Sequence, residues 1–159
     1  MSFCSFSYNA FSSPPSFPAV NYEDPNLNVS IPVFSIHGNH DDPQGAGSTG
    51  ALCALDILSV SGLLNYMGKF DLPVSDADAS TTGMAVRPVL LRKGSTKLGM
   101  YPVGNVKDQR LHFELRSNRV RMYMPRDKDD WFNILLIHQN RCVSSDGTLL
   151  DMLLTCTQE

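Results

Sequence analysis

The chain has 159 residues, of which 42% are hydrophobic and 18% are charged, and its formal net charge is −3. This composition is typical of roughly one globular domain with an ordinary core, and it excludes a fibrous protein. No apolar run approaches the roughly 18 residues that a membrane span requires, and the first residues carry no Lys or Arg to begin a secretory signal, so we expect no membrane partner.

Residues 1–19 are uncharged and rich in Ser, Phe and Pro, without a sustained period. We expect a leader that is disordered and unrelated to the rest of the chain. The composition changes after residue 19. Residues 28–36 then form a run of β-favouring residues that contains Pro32. This run predicts a strand of about five residues, with the proline at its start or at an edge.

A polar, glycine-rich loop follows at residues 37–50. Residues 51–64 then carry leucines at helical spacing, which predicts a helix of about three turns with Leu55 and Leu58 in the core. Strand, glycine-rich loop and helix together are half of an α/β unit. Residues 71–83 are acidic and irregular, and they predict a surface loop.

Two apolar runs, residues 86–93 and 97–103, flank Gly94-Ser95-Thr96 and predict an antiparallel hairpin. Asp108 then predicts the N-cap of a short helix that reaches Arg116. Between Arg87 and Arg121 the chain carries nine basic and two acidic residues, a net charge of +7. This excess is expected either on a solvated surface or on a face that binds a polyanion such as DNA.

The last predicted strand, residues 131–137, is almost continuously apolar, which is typical of a strand buried on both faces. His138 follows this run directly, so we expect it at the carboxyl end of the strand. The sequence changes character again after Arg141, and we expect residues 142–159 to be a tail unrelated to the α/β unit.

The first predicted strand runs into Gly38-Asn39-His40-Asp41-Asp42, which offers an amide oxygen, an imidazole and two carboxylates. A divalent ion such as Mn²⁺ accepts such oxygen and nitrogen donors. The same residues also occur in polar turns, where Asn and Asp cap their own backbone. The complete string after a strand, with His138 after a second strand, favours a metal site.

Five stretches in order carry a resemblance to a known family: residues 31–43, 54–58, 93–97, 104–111 and 130–141. Together they resemble the eukaryotic meiotic recombination eleven family of double-strand-break repair nucleases, over about residues 20–141. The resemblance implies an α/β fold of the calcineurin-like metallophosphoesterase kind, in which a two-sheet sandwich is flanked by helices and is incomplete here at both ends.

The resemblance also implies a dinuclear manganese site, 3′–5′ exonuclease and endonuclease activity on DNA, and a nuclear location. Partners implied are DNA, a coiled-coil ATPase of the structural-maintenance type, nibrin and a second copy of the nuclease. By motif, Asn39 and His138 are metal ligands, and His40 is the catalytic residue that contacts the scissile phosphate. His37 and Asp41 receive no ligand role and are expected to be supporting residues.

Several family motifs have no match in this sequence. These are an aspartate and a histidine one residue apart, a bridging aspartate, and Gly-His-Glu-His, so only Asn39 and His138 remain of the implied ligands. We therefore expect a fragment of a manganese-dependent nuclease that is inactive alone. The alternatives are a non-catalytic interaction or dimerisation module, with Ile57 and Val60 facing a partner, or a phosphoesterase acting on another substrate.

Overall fold

The computed structural model describes residues 21–43, 52–70 and 83–139. The elements in these ranges are β1 (Phe34–Ser35), α1 (Ala54–Val60), β2 (Asn65–Tyr66), β3 (Met84–Val86), β4 (Val89–Lys93), β5 (Thr96–Val103), α2 (Asp108–Arg116), β6 (Val120–Met122) and β7 (Phe132–Ile137). The expected leader and tail, and most of the expected acidic loop, lie outside the described residues. No helix within these three ranges is long and apolar enough to cross a membrane.

The described strands form three small sheets. Strand β1 pairs with β2 in parallel, β3 pairs with β6 in parallel, and β5 lies between β4 and β7. The β4–β5 pair is antiparallel and the β5–β7 pair is parallel. The mixture of helices with parallel strands confirms the α/β class.

The β1–α1–β2 segment is a short parallel crossover unit, as the strand–loop–helix pattern predicts. Both expected lengths were too great: the strand has two residues and the helix has seven. The helix begins where Asp56 Oδ2 accepts the Cys53 N–H at 2.7 Å, and it cannot continue past Gly62, whose φ of 71° leaves the helical region.

The predicted core role of Leu58 is wrong in the described part of the chain. No residue of α1 is buried, Leu55 is half-buried, and Leu58 is exposed. Among the described elements, the two-turn helix packs chiefly against the short strand β2, so its apolar stripe extends beyond the surface that β2 covers.

The predicted hairpin is confirmed, with Lys93 opposite Thr96 across the turn. The expected first strand of the hairpin starts later, at Val89, because Pro88 lacks the N–H that a continuous ladder would need. Residues 84–86 belong instead to β3. Helix α2 also agrees with its prediction, except that Asp108 is its first residue and Lys107 is the cap.

Strand β7 is not buried on both faces, as its apolar sequence had predicted. It borders only β5 among the described strands, and the side chain of Phe132 is 69% exposed. Apolar content alone cannot distinguish a central strand from an edge strand, since burial depends on the neighbours. Its second half, Leu135 to Ile137, is half-buried against the core.

The largest core cluster joins β3, β5, β6 and α2. Its buried members are Met84, Val86, Tyr101, Val103, Val106, Leu111, Leu115 and Val120. A second, smaller cluster of Met67, Val89 and Met100 lies under β1 and the hairpin. The two clusters together place the carboxyl ends of β1, β5 and β7 near one another.

Candidate functional site

The carboxyl ends of β1 and β7 bring two of the predicted site residues together. Asn39 follows β1, His138 follows β7, and His138 Nε2 lies 3.2 Å from Asn39 Oδ1. Both residues are exposed. An amide oxygen only accepts, so Nε2 carries the hydrogen in this arrangement. Two side chains separated by 99 positions in the sequence therefore lie in hydrogen-bond contact.

Gly38 makes this approach possible. A Cβ at this position would lie 3.1 Å from His138 Cε1, 3.2 Å from Nε2 and 3.3 Å from an Asp41 carboxylate oxygen. The Gly38 N–H donates to that same Asp41 oxygen at 3.1 Å. Asp41 thus fixes the loop backbone, which is the supporting role expected of it.

His37, directly before this loop, is buried and is held through both ring nitrogens. Its Nε2 lies 3.1 Å from the carbonyl oxygen of Asn105, which can only accept, so Nε2 carries a hydrogen. With that hydrogen on Nε2, the ring can accept at Nδ1 from the Tyr66 hydroxyl, 2.8 Å away. Asp42 Oδ1 lies 3.5 Å from Nε2 and completes the surroundings of the ring.

Tyr66 is the polar partner that the sequence did not indicate. Burial raises the pKa of its hydroxyl above the ordinary value, and its hydrogen bond with Cys53 acts in the same direction. The hydroxyl therefore keeps its proton at neutral pH and can donate it to His37. No local pattern pointed to this contact, which joins residues 29 positions apart.

The segment that follows β5 holds His37 from the other side. The Asn105 N–H donates to the His37 carbonyl at 3.1 Å, while the Asn105 carbonyl accepts from the His37 ring. Gly104 lies so close to the ring that a Cβ would overlap it. Strand β5 also pairs Val103 with Ile137, the residue before His138. One strand end therefore positions both halves of the site.

His40, the predicted catalytic residue, is exposed, and it makes no hydrogen bond or ion pair with another residue in the described ranges. Its imidazole is available to a ligand on the solvent side of the loop. The described residues contain no group of three or more His, Cys, Asp or Glu side chains that would hold a metal ion. Asn39 and His138 thus offer one amide oxygen and one imidazole nitrogen.

The two residues predicted to face a partner are both on the exposed side of α1. Ile57 is 68% exposed and Val60 is 55% exposed. Leu63, just beyond the helix, is 66% exposed. Each of the three apolar side chains is thus more than half exposed.

The chain is similar to double-strand break repair proteins of several eukaryotes. It is 88% identical over 126 residues to the double-strand break repair protein MRE11 of Coprinopsis cinerea, a match that covers 79% of this chain and 17% of that protein. It is 52% identical over 126 residues both to the double-strand break repair protein mus-23 of Neurospora crassa and to MRE11 of Mus musculus, covering 79% of this chain and 16% of each relative. The chain thus spans less than a fifth of these curated relatives. No protein-family model matches it.

Proposed function

Over 126 residues this chain is homologous to the MRE11 family of double-strand break repair proteins, and from that premise we propose that it is part of a metal-dependent nuclease that processes DNA ends. The proposed cofactor is a pair of Mn²⁺ ions, and the proposed location is the nucleus. We further propose that the three small sheets belong to the two-sheet sandwich of a calcineurin-like metallophosphoesterase.

The observation that carries the proposal is the 3.2 Å approach of His138 Nε2 to Asn39 Oδ1. An amide oxygen and an imidazole nitrogen suit a hard or borderline divalent ion such as Mn²⁺. An asparagine ligand adds no negative charge, so the bound ion keeps its ability to polarise a phosphodiester. To ligate, His138 must offer the Nε2 lone pair, which moves its hydrogen to Nδ1.

Two donors supply only part of an octahedral coordination sphere, so we expect this chain to bind the ion weakly and to have no nuclease activity alone. His40, exposed on the same loop, is proposed to contact the scissile phosphate and to protonate the leaving group. DNA is the proposed substrate. A coiled-coil ATPase, nibrin and a second nuclease copy are the proposed protein partners.

Paramagnetic broadening of NMR signals by Mn²⁺ tests the site in the 159-residue chain. We expect the Asn39 side-chain amide and the His138 ring signals to broaden first. Asn39→Ala and His138→Ala should each raise the Mn²⁺ concentration needed to broaden the other residue by about tenfold or more, since each removes a ligand. Asn28→Ala and His112→Ala are matched controls away from the loop.

The proposed site would be refuted by unchanged broadening around residues 38–42 in the Asn39→Ala/His138→Ala double variant. Nuclease assays on end-labelled duplex DNA with Mn²⁺ test the proposed lack of activity. Cleavage by this chain would contradict the expectation that two donors are insufficient.

A second candidate function is self-association through α1. The observation that favours it is the exposure of Ile57 and Val60 on a helix with no buried residue, together with that of Leu63 just beyond the helix. Exposed apolar clusters of this kind are typical of association surfaces. Ile57 and Val60 are the proposed contact residues of a dimer.

Sedimentation velocity across a range of concentrations tests this candidate. Ile57→Asp should weaken self-association by at least about tenfold, because it places a charge in a desolvated contact. Ala54→Asp, which adds the same charge at another exposed position of α1, is the control. A wild-type chain that remains monomeric at every concentration would remove the candidate.

A further inference from the structure

The backbone that leads to Asn39 is held by very little regular secondary structure. Strand β1 has two residues, and its last ladder bond runs from the Met67 N–H to the Ser35 carbonyl oxygen at 2.9 Å. Three residues separate that bond from Asn39. Because so short a pair of strands is marginal by itself, other contacts determine where the loop begins.

The side chain of His37 supplies these contacts. The residue is only 3% exposed, and its ring is bonded at both nitrogens. Nδ1 lies 2.8 Å from the Tyr66 hydroxyl, and Nε2 lies 3.1 Å from the Asn105 carbonyl oxygen. The Asn105 N–H also donates to the His37 carbonyl at 3.1 Å. Both the backbone and the ring of His37 are therefore held, two residues before Asn39.

The register of the β1–β2 pair explains why Tyr66 reaches this ring. Tyr66 is the register partner of Ser35. Register partners in a parallel pair point to the same face, and so do alternate residues along one strand. Continuing the alternation from Ser35 places His37 on the face of Tyr66. The tyrosine side chain is long enough to cross this diagonal, and the two ring centroids lie 5.9 Å apart.

The Tyr66 hydroxyl is itself part of a wider set of contacts. It is hydrogen-bonded with the side chain of Cys53, the N-cap of α1. Asp56 Oδ2 accepts the Cys53 N–H at 2.7 Å, and Asp56 Oδ1 lies 3.4 Å from Lys69 Nζ. The hydroxyl therefore has a defined position between the start of α1 and the loop.

We propose that Tyr66 and His37 are positioning residues, whose contact holds the loop backbone so that the Asn39 side chain stays opposite His138. The inference rests on the proposed function, in which Asn39 and His138 bind the metal, and it adds two residues that touch no ion. Residues that orient a metal ligand through hydrogen bonds raise metal affinity, because the ligand is already in place when the ion arrives.

NMR of the metal-free 159-residue chain, with ¹⁵N-labelled histidine and asparagine, tests the first step. Tyr66→Phe keeps the ring and removes the hydroxyl, so the Nδ1 signal of His37 should shift. The nuclear Overhauser contact between the Asn39 side-chain amide and the His138 ring should weaken in the same variant. Signals of folded molecules are read separately from those of unfolded ones, so a modest loss of stability does not obscure either result.

Tyr101→Phe is the matched control. The Tyr101 hydroxyl lies 3.1 Å from Asn133 Oδ1, and Tyr101 is 2% exposed. The control thus loses a tyrosine hydroxyl hydrogen bond of the same kind, on a residue that is at least as buried, with a comparable cost in stability. It should leave the His37 signal and the contact between Asn39 and His138 unchanged. A purely structural role for Tyr66 would give the same result in both variants.

Addition of Mn²⁺ tests the consequence for the metal site. Tyr66→Phe should raise the Mn²⁺ concentration that half-broadens the His138 ring signals by about fivefold, less than removal of a ligand, because both donors remain. Tyr101→Phe should need the wild-type concentration. An unchanged Mn²⁺ concentration in Tyr66→Phe, despite a weakened contact, would overturn the link between Tyr66 and the metal site.

The metal-free contact also separates this inference from the proposed function. A wild-type chain in which Asn39 meets His138, but in which Mn²⁺ broadens neither residue, would refute the metal site alone. A Tyr66→Phe variant that keeps the wild-type contact would overturn the positioning role, whatever the wild type does with Mn²⁺. Equal weakening of the contact in Tyr101→Phe would overturn it as well.

Discussion

The Tyr66 hydroxyl donates to His37 Nδ1 at 2.8 Å, which fixes the buried ring that precedes the candidate site. The two rings also meet edge to face, with centroids 5.9 Å apart. Because Asn105 occupies the other ring nitrogen, His37 has no rotational freedom left. The loop that carries Asn39 and His40 therefore starts from a fixed point.

Replacement of Tyr66 by Phe should destabilise the chain by about 1–2 kcal/mol, since it leaves the buried Nδ1 of His37 without a donor. Urea denaturation followed by circular dichroism measures the change. Tyr123→Phe removes a hydroxyl from an exposed ring and should change the free energy of unfolding by less than about 0.5 kcal/mol. Equal effects of both substitutions would contradict the fixed role of Tyr66.

Gly104→Ala should destabilise the chain by about 2–3 kcal/mol. The added Cβ would overlap the His37 ring and would lie 2.7 Å from the Gly68 carbonyl oxygen, so backbone must move. Thermal and urea unfolding measure the loss. Ser95→Ala, at the exposed turn of the hairpin, is the control and should be nearly neutral. A fully stable Gly104→Ala variant would show that His37 is not confined as described.

The buried carboxylate of Glu114 predicts an asymmetric result in a double-mutant cycle. Its ion pair with Arg110, 2.8 Å long, lacks hydrogen-bond geometry, and only the arginine reaches the surface. Arg110→Met should leave an uncompensated buried charge and cost about 3 kcal/mol. Adding Glu114→Leu should recover most of that loss. Strictly additive effects in urea unfolding would exclude direct coupling of the pair.

The ion pair of Lys97 with Asp127 predicts a dependence of stability on pH. The hydrogen bond from Lys97 lowers the pKa of Asp127 below its ordinary value of 3.8. The folded chain therefore stabilises the charged carboxylate of Asp127 more than the unfolded chain does. The contribution is present above about pH 4 and is lost as the pH falls through the folded-state pKa. Wild type and Asp127→Asn should thus differ in stability at pH 6 and converge near pH 2. A constant difference across that range would contradict this linkage.

Local sequence patterns predicted the elements that local interactions determine. The hairpin around Gly94 and the helix from Asp108 depend on nearby residues, and both were predicted within a few positions. The burial of Phe132 and Leu58 was predicted wrongly, because it depends on neighbours that no local pattern specifies. Composition left open whether the basic segment is a solvated surface or a polyanion-binding face; the structure shows that Lys97 and Arg110 within it are paired with acidic side chains.

The residues of the candidate site likewise fall into those that local sequence patterns predicted and those that only the folded structure shows. The loop string containing Asn39 and the strand end carrying His138 predicted two metal ligands; the structure places the two side chains 3.2 Å apart, and their metal-binding role stays a prediction. The hydrogen bonds of His37 with Tyr66 and Asn105 connect it to residues 29 and 68 positions away in the sequence. No local sequence pattern predicts such contacts. Ile57 and Val60 are exposed, and their role in self-association stays a prediction.

Strand β5 determines where the chain tolerates changes in length. Its end pairs with Ile137 immediately before His138, and the next two residues confine His37 immediately before the Asn39 loop. One residue inserted between Met100 and Asn105 would shift the pairing by about 3.3 Å and reverse the faces of every side chain beyond it. One residue inserted at Gly94-Ser95 would only lengthen an exposed turn. Two insertions a few positions apart in the same hairpin should therefore differ completely in their effect on the distance between Asn39 and His138.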